Sequence, residues 1–404
     1  NKLKNMSDFK KIELIKPTSN AVSSTQTAEG RYWSKFNVAS ITKEFGAVNH
    51  IDFSPTEPHN YAVTASTRVL IYDATTNEVD KTLTRFKDVA YGATFRQDGR
   101  LLAVGGAHPL VQVFDVSART LLRAFRGHTG AVRVTRFAAD NTRVVSMSDD
   151  RSVRAWDLSS ETSLDVISGA HDDYIRGGAA SRVSPDVWYS GSYDKTIKTW
   201  DLRVGNQSSN VVATFDHGEP VESLLTLPGG SLLVSAGGNK VKIWDLLTGR
   251  ALTVLQNHQK TVTGLCIDGT KTRLMSCGLD RMIKVYDLKT YAVTHSLRCA
   301  APLLAVATSP DSSLLAYGGV DGSLAVRRRL VKQSERVRSR RRDDDVRAGT
   351  YRYFVRGKNV TAGHEDLQVE ARRQHRLQPY EKLLKKFRYR EALKSAFETS
   401  RPVV

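Results

Sequence analysis

Short runs of alternating apolar and polar residues recur from about residue 32 to residue 329. Val241-Lys242-Ile243-Trp244 is representative: a β-branched run that turns one face inward, with Gly, Asn, Asp and Pro at its borders. A period of two predicts half-buried strands joined by tight turns rather than helices. No stretch approaches the roughly 18 consecutive apolar residues of a membrane span, and no signal peptide precedes the polar start. Asn1 rather than Met opens the chain, so its ends need not be the native ends.

The runs are organised by a repeat. An aromatic followed by an acid occurs at Tyr72-Asp73, Phe114-Asp115, Trp156-Asp157, Trp200-Asp201, Trp244-Asp245 and Tyr286-Asp287, the acids lying 42, 42, 44, 44 and 42 residues apart. A degraded seventh copy follows where Ser323-Leu324-Ala325-Val326 runs into Arg327-Arg328. This is the period of the WD repeat, which builds one four-stranded propeller blade per copy. The fold class expected is all-β, a seven-bladed WD-repeat β-propeller.

A His stands 27 to 29 residues before four of the aromatics: His128, His171, His217 and His258. An Asp stands six before the aromatic at Asp150, Asp194, Asp280 and Asp321, with Ser146, Ser190 and Ser276 four residues earlier still. Blade one has Ser66 in place of the Asp, blade two His108 and blade five Gly238. In WD repeats this set forms a buried hydrogen-bond chain, and buried polar groups are tolerable when each satisfies another. The expected structural tetrads are His128, Ser146, Asp150 and Trp156; His171, Ser190, Asp194 and Trp200; and His258, Ser276, Asp280 and Tyr286. The same residue types make a catalytic triad, but recurrence at fixed spacing favours the structural device.

A propeller ring must be closed, and the seventh copy runs out after three strands. The segment Tyr32–Ile41 has strand composition and no other evident partner, so it is expected to supply the outer strand of the last blade, from about 32–43, and protect its edges. The expected organisation is an N-terminal extension over 1–30, the propeller over 31–329, a basic linker over 330–349, and an extended segment with the start of a C-terminal α-helical domain over 350–404. The pairs Gly105-Gly106 and Gly177-Gly178 read as turn material, since no phosphate-loop signature surrounds them.

Charge changes the picture after the repeats end. The 404 residues carry 60 Lys and Arg against 42 Asp and Glu, a net +18. Residues 327–404 hold 23 of the cations and 10 of the acids, so +13 of the excess lies in the last 78 residues. The remainder is nearly balanced, as expected of a soluble domain, whereas the tail implies an acidic partner. Three scattered cysteines, Cys266, Cys277 and Cys299, exclude a disulfide framework or zinc site and read as free thiols in a reducing compartment.

Within the tail, residues 327–347 hold ten cations and too few apolar residues for a core. Arg338, Arg340, Arg341 and Arg342 are candidate RNA-phosphate contacts, or a nuclear-import signal. Arg352 and Arg356 alternate with Tyr351, Tyr353 and Phe354, a strip able to stack on and neutralise single-stranded RNA. The favoured reading of that strip is an extended segment laying Tyr351, Tyr353 and Val355 against the propeller or a partner. Pro379 opens a predicted helix with Tyr380, Leu383, Leu384 and Phe387 on one face; after a break near Arg388-Tyr389 a second follows. On the propeller, Arg123, Arg126, Arg133 and Arg136 are expected to cluster around one connection between blades.

More specific strings go beyond what a WD repeat demands. They include Glu44-Phe45-Gly46-Ala47-Val48, Asn60-Tyr61-Ala62-Val63-Thr64-Ala65-Ser66, Ala93-Thr94-Phe95-Arg96-Gln97-Asp98-Gly99, His217-Gly218-Glu219-Pro220-Val221, and Tyr351-Arg352-Tyr353-Phe354. Together they closely resemble the U3 small nucleolar RNA-associated protein 15 family, WD-repeat subunits of the small-subunit processome. The resemblance implies membership of the early subcomplex on the 5′ external transcribed spacer of pre-rRNA. It also implies partnership with sister WD-repeat and helical subunits and a nucleolar location in the nucleus. It implies no catalytic activity, cofactor, metal, membrane or small-molecule substrate. The alternative is a WD-repeat substrate receptor of a cullin-type ubiquitin ligase, since Trp200-Asp201-Leu202-Arg203 fits the Trp-Asp-x-Arg pattern of such receptors.

Overall fold

The computed structural model describes residues 28–203, 211–330 and 388–390. Its 28 strands form seven antiparallel sheets of four. Blades one to six each use four consecutive strands; blade one, for example, runs Val48–Phe53, Tyr61–Ala65, Arg68–Tyr72 and Val79–Leu83. In blade seven the strands Leu303–Thr308, Leu314–Gly319 and Ser323–Arg329 are completed on the outside by Phe36–Lys43, from the other end of the domain. That pairing runs from Phe36 opposite Arg329 to Lys43 opposite Ser323, with a bulge between Val38 and Ser40. The described residues up to Leu330 therefore form a seven-bladed β-propeller.

The closing segment is only partly strand. Residues Ala28–Trp33 form a short helix, and the strand begins at Phe36 rather than near Tyr32. Contacts distant in sequence hold that helix. Arg273 donates through Nε and Nη2 to the two Glu29 carboxylate oxygens, at 2.9 and 2.8 Å, and its guanidinium lies over Tyr32. Trp33 is buried, stacked between Phe36 and His295 with ring centroids 5.0 and 5.8 Å away.

Seven apolar cores lie between blades, and the repeating aromatic of each copy faces the blade before it. Trp156 packs with Val111, Val113 and Phe125 of blade two, Trp200 with Val145 and Val153 of blade three, and Trp244 with Ile197 and Phe215 of blade four. Tyr72 closes the ring by packing with Leu314, Leu324 and Val326 of blade seven. Truncating one of these buried aromatics removes roughly 3–5 kcal/mol.

The two glycine pairs are not turns. Gly105-Gly106 ends the strand Leu101–Gly106, and Gly177-Gly178 sits inside Ile175–Ala180. A Cβ on Gly105 would lie 2.7 Å from Val132 Cγ1 and 2.9 Å from the Val132 carbonyl oxygen of the next blade. Close approach of neighbouring blades near the axis, not turn geometry, requires a residue without a side chain there.

The expected linker and most of the expected helical region lie outside the described residues. Of 388–390, Tyr389 and Arg390 are helical, at the point where the sequence pattern predicts a break.

Candidate nucleic-acid and partner interface

The recurring polar residues are gathered by each blade's turn geometry. His128 donates from Nδ1 to Asp150 at 2.8 Å, its Nε2 accepts from Ser146 Oγ at 2.7 Å, and Trp156 Nε1 donates to the same Oγ at 2.8 Å. Blade four repeats the chain with His171, Asp194, Ser190 and Trp200 at 2.8, 2.7 and 2.7 Å. Burial pushes the Asp150 and Asp194 carboxyls up, but hydrogen bonds from the imidazole and from Ser152 or Thr196 outweigh it and hold both well below the usual carboxylate range. In blade six His258 joins Asp280 and Ser276 at 2.9 and 2.7 Å. Tyr286 differs there: its hydroxyl is buried without a partner at hydrogen-bond geometry, although burial, which raises its pKa, is opposed by the Ser276 side chain beside it. Blade five, with Gly238 in place of the acid, still links His217, Ser235 and Trp244. The Ser146, Ser190, Ser235 and Ser276 hydroxyls are fully buried, so the arrangement ties turn to strand and presents no nucleophile to a substrate.

The surfaces that remain are the two faces and the axial channel. Each inner strand has six residues, from Val48–Phe53 in blade one to Leu303–Thr308 in blade seven. Their second and fifth residues line a channel of about 670 Å³. The mouth where the inner strands begin is termed upper, and the mouth where they end lower. The upper ring includes Arg133, Arg176 and Glu222. Arg133 lies 3.7 Å over the Tyr91 ring and pairs through Nε with Asp149 at 2.8 Å. Arg176 meets the other Asp149 oxygen at 3.3 Å and lies over Tyr193, whose hydroxyl donates to Glu222. The two upper arginines thus share one carboxylate, that of Asp149.

The lower ring includes Asp52, Thr94 and Arg136. Arg136 Nη1 donates to Thr94 Oγ1 at 2.8 Å, and Asp52 accepts from the Phe95 amide at 2.8 Å. Burial lifts the Asp52 carboxyl to about 6 against that hydrogen bond and the attraction of Arg136. Burial and the same guanidinium hold His50 neutral, lowered to about 3. Among the described residues no group of His, Cys, Asp and Glu is arranged to hold a metal ion, and Cys266, Cys277 and Cys299 are free thiols.

The four propeller arginines expected to cluster are separated. Arg123 lies on the outer strand of blade two, paired with Glu161 at 2.9 Å; Arg126 ends that strand in solvent; Arg133 and Arg136 face the channel at opposite mouths. In the Trp-Asp-x-Arg string, Arg203 pairs with Asp201 of its own turn at 2.8 Å. Arg338, Arg340, Arg341, Arg342, Arg352 and Arg356 lie outside the described residues. Sequence reasoning passed over Asp52, Arg176, Arg182 and Lys271 of the channel, although the alternation of each inner strand marks which residues turn toward the axis.

Comparison with known proteins joins these features to a family. The profile of the WD domain, G-beta repeat family matches residues 119–157, 209–245 and 249–287. The U3 small nucleolar RNA-associated protein 15 homolog of Xenopus tropicalis is 42% identical over 97% of this chain and 74% of its own length. The human homolog is 44% identical over 91% and 69%, and U3 small nucleolar RNA-associated protein 15 of Schizosaccharomyces pombe 39% over 94% and 76%. With a seven-bladed ring and such identity along nearly its whole length, the chain belongs to the U3 small nucleolar RNA-associated protein 15 family.

Proposed function

We propose that the chain is a non-catalytic assembly factor in ribosome biogenesis. It acts as a subunit of the early pre-rRNA-binding subcomplex of the small-subunit processome, in the nucleolus. It is needed for processing of pre-rRNA to 18S rRNA and is coupled to pre-rRNA transcription. Its partners are sister WD-repeat and helical subunits and the 5′ external transcribed spacer. The observation that carries this reading is 39–44% identity over more than nine-tenths of the chain to proteins named for U3 small nucleolar RNA.

The physical features support a scaffold. The polar clusters are consumed in holding blades together, leaving loops and a channel as binding surfaces. The net +13 over residues 327–404 supplies a cationic segment for RNA phosphates, with Arg338, Arg340, Arg341 and Arg342 first and Arg352 and Arg356 next. In this reading residues 330–349 are a basic linker and 350–404 begin a helical domain that locks into the subcomplex.

Affinity purification tests the proposal. U3 small nucleolar RNA, spacer RNA and sister WD-repeat subunits should co-purify, and depletion of the chain should lower 18S rRNA relative to the large-subunit rRNA. Recovery of a cullin adaptor without those components would overturn it.

A further inference from the structure

The two mouths of the channel hold their cations differently. At the upper mouth Arg133 and Arg176 are paired with Asp149. At the lower mouth three cations from three blades line one cavity: Arg136 on the inner strand of blade three, Arg182 just after that of blade four, and Lys271 just after that of blade six. Arg136 donates to the neutral Thr94 hydroxyl and feels Asp52 only at longer range. Arg182 and Lys271 have no ion-pair partner among the described residues; Lys271 is exposed, and Arg182 reaches solvent although its guanidinium is partly desolvated, which lowers its pKa. Asp268, the other acid at this mouth, is already engaged by Arg273 at 3.1 Å and by Thr270 at 2.7 Å. A positive charge is left over on a concave, partly dehydrated surface, where attraction for an anion is strongest.

The channel is also two-sided in cross-section. At the fifth inner-strand position blades one to three supply Asp52, Thr94 and Arg136, whereas blades five to seven supply Leu225, Cys266 and Ala307. An extended peptide places successive side chains on opposite sides, so one that alternates acidic and apolar residues turns carboxylates toward Arg136 and Arg182 and apolar side chains toward Leu225 and Cys266, while Lys271, beyond the end of the blade-six strand, is left for a carboxylate at the end of the segment. The volume of about 670 Å³ is within the range of about 300–1,000 Å³ typical of ligand sites. Single-stranded nucleic acid needs stacking faces, and the aromatic rings at this end, Phe53 and Phe137, are buried in the cores between blades.

The geometry points to the lower mouth as a docking site for an extended acidic segment of a protein partner, its carboxylates against Arg136, Arg182 and Lys271 and its apolar side chains against Leu225 and Cys266. This site is independent of RNA binding by the tail.

The test uses the full 404-residue chain and a fluorescein-labelled Asp-Leu-Asp-Leu-Asp-Leu peptide bearing a benzophenone. An Asn-for-Asp peptide and a single-stranded oligouridylate serve as comparators. The acidic peptide should bind at least tenfold tighter than its Asn counterpart and photocrosslink to inner-strand residues of blades five and six. Arg182→Glu with Lys271→Glu should weaken binding at least tenfold and abolish those crosslinks, while Arg151→Glu on the upper face leaves both unchanged. Should the double reversal disturb folding by circular dichroism, Arg182→Ala with Lys271→Ala gives the same reading at smaller amplitude. Crosslinks confined to residues beyond 330, equal affinity for the Asn peptide, or affinity unchanged in the double variant would overturn the assignment. Displacement of the channel crosslinks by oligouridylate would overturn it in favour of nucleic acid.

Discussion

His217 meets Ser235 through Nδ1, at 2.9 Å, whereas His128, His171 and His258 meet their serines through Nε2, at 2.7 Å. The ring is reversed because blade five has no acid to receive an Nδ1 proton; Nε2 instead donates to the Gly237 carbonyl at 3.3 Å.

The reversed ring predicts an acid-sensitive blade. Burial lowers His217 from 6.5 to about 4, against the carbonyl hydrogen bond. The unfolded imidazole binds its proton near 6.5, the folded one only near 4, so stability falls as pH drops through that interval. At about 1.4 kcal/mol per pH unit the loss reaches about 3 kcal/mol below pH 4. Urea unfolding midpoints at pH 7 and pH 4.5 should differ less in His217→Asn than in the parent chain. An equal difference would remove His217 as the source.

The acid-bearing blades predict the opposite weakness, loss of the acceptor. Asp194 receives the His171 Nδ1 proton and the Asp172 and Thr196 amides at 2.8, 3.2 and 2.8 Å. Asp194→Ala leaves a buried imidazole donor unsatisfied and should cost about 3 kcal/mol, a fall of roughly 5 °C in Tm. Trp200→Phe removes the donation to Ser190 at 2.7 Å and leaves a small void where the larger ring was buried, and should cost about 2 kcal/mol. Differential scanning calorimetry of the two variants checks the order.

What local sequence revealed and what it concealed have a common cause. The hydrogen bonds that join Trp156, Ser146, His128 and Asp150 lie within one repeat, so a fixed period exposes them. Gly105 is determined by Val132 in the next blade, and the helix Ala28–Trp33 by Arg273, 244 residues from Glu29. No window around either segment contains its partner. Channel residues such as Asn49, Tyr91 and Arg133 occupy one ring position with unlike side chains, so the repeat marks the place but not the chemistry.

Gly105→Ala tests the close approach of blades two and three. The added methyl meets the Val132 carbonyl at 2.9 Å and Val132 Cγ1 at 2.7 Å. Backbone must shift to admit it, which should cost about 2 kcal/mol. The urea midpoint should fall while the far-ultraviolet spectrum keeps its β signature; an unchanged midpoint would mean that the blades can part freely.

Ring closure is tested at Trp33. Its indole joins the core between blades six and seven, stacked on Phe36 and His295, and Phe36 begins the strand that covers Ser323–Arg329. Trp33→Ala should loosen that strand before the other blades, because six sheets are made of continuous chain. Hydrogen exchange should accelerate first in Phe36–Lys43 and Ser323–Arg329, with the inner strands still protected. Uniform acceleration through all seven blades would show that closure and global stability are inseparable.

The proposed RNA contact of the tail makes a salt-dependence argument. If Arg338, Arg340, Arg341 and Arg342 each neutralise one phosphate of single-stranded spacer RNA, each releases about 0.7 of a counterion. Changing all four to Ala should lower affinity and reduce the slope of log K against log salt by about 3. A solvated linker predicts no change in slope. Unchanged RNA binding with lost nuclear accumulation assigns the run to import instead. Filter binding over a salt series together with localisation of the variant separates the outcomes, because phosphate contact alters the slope whereas import does not enter it.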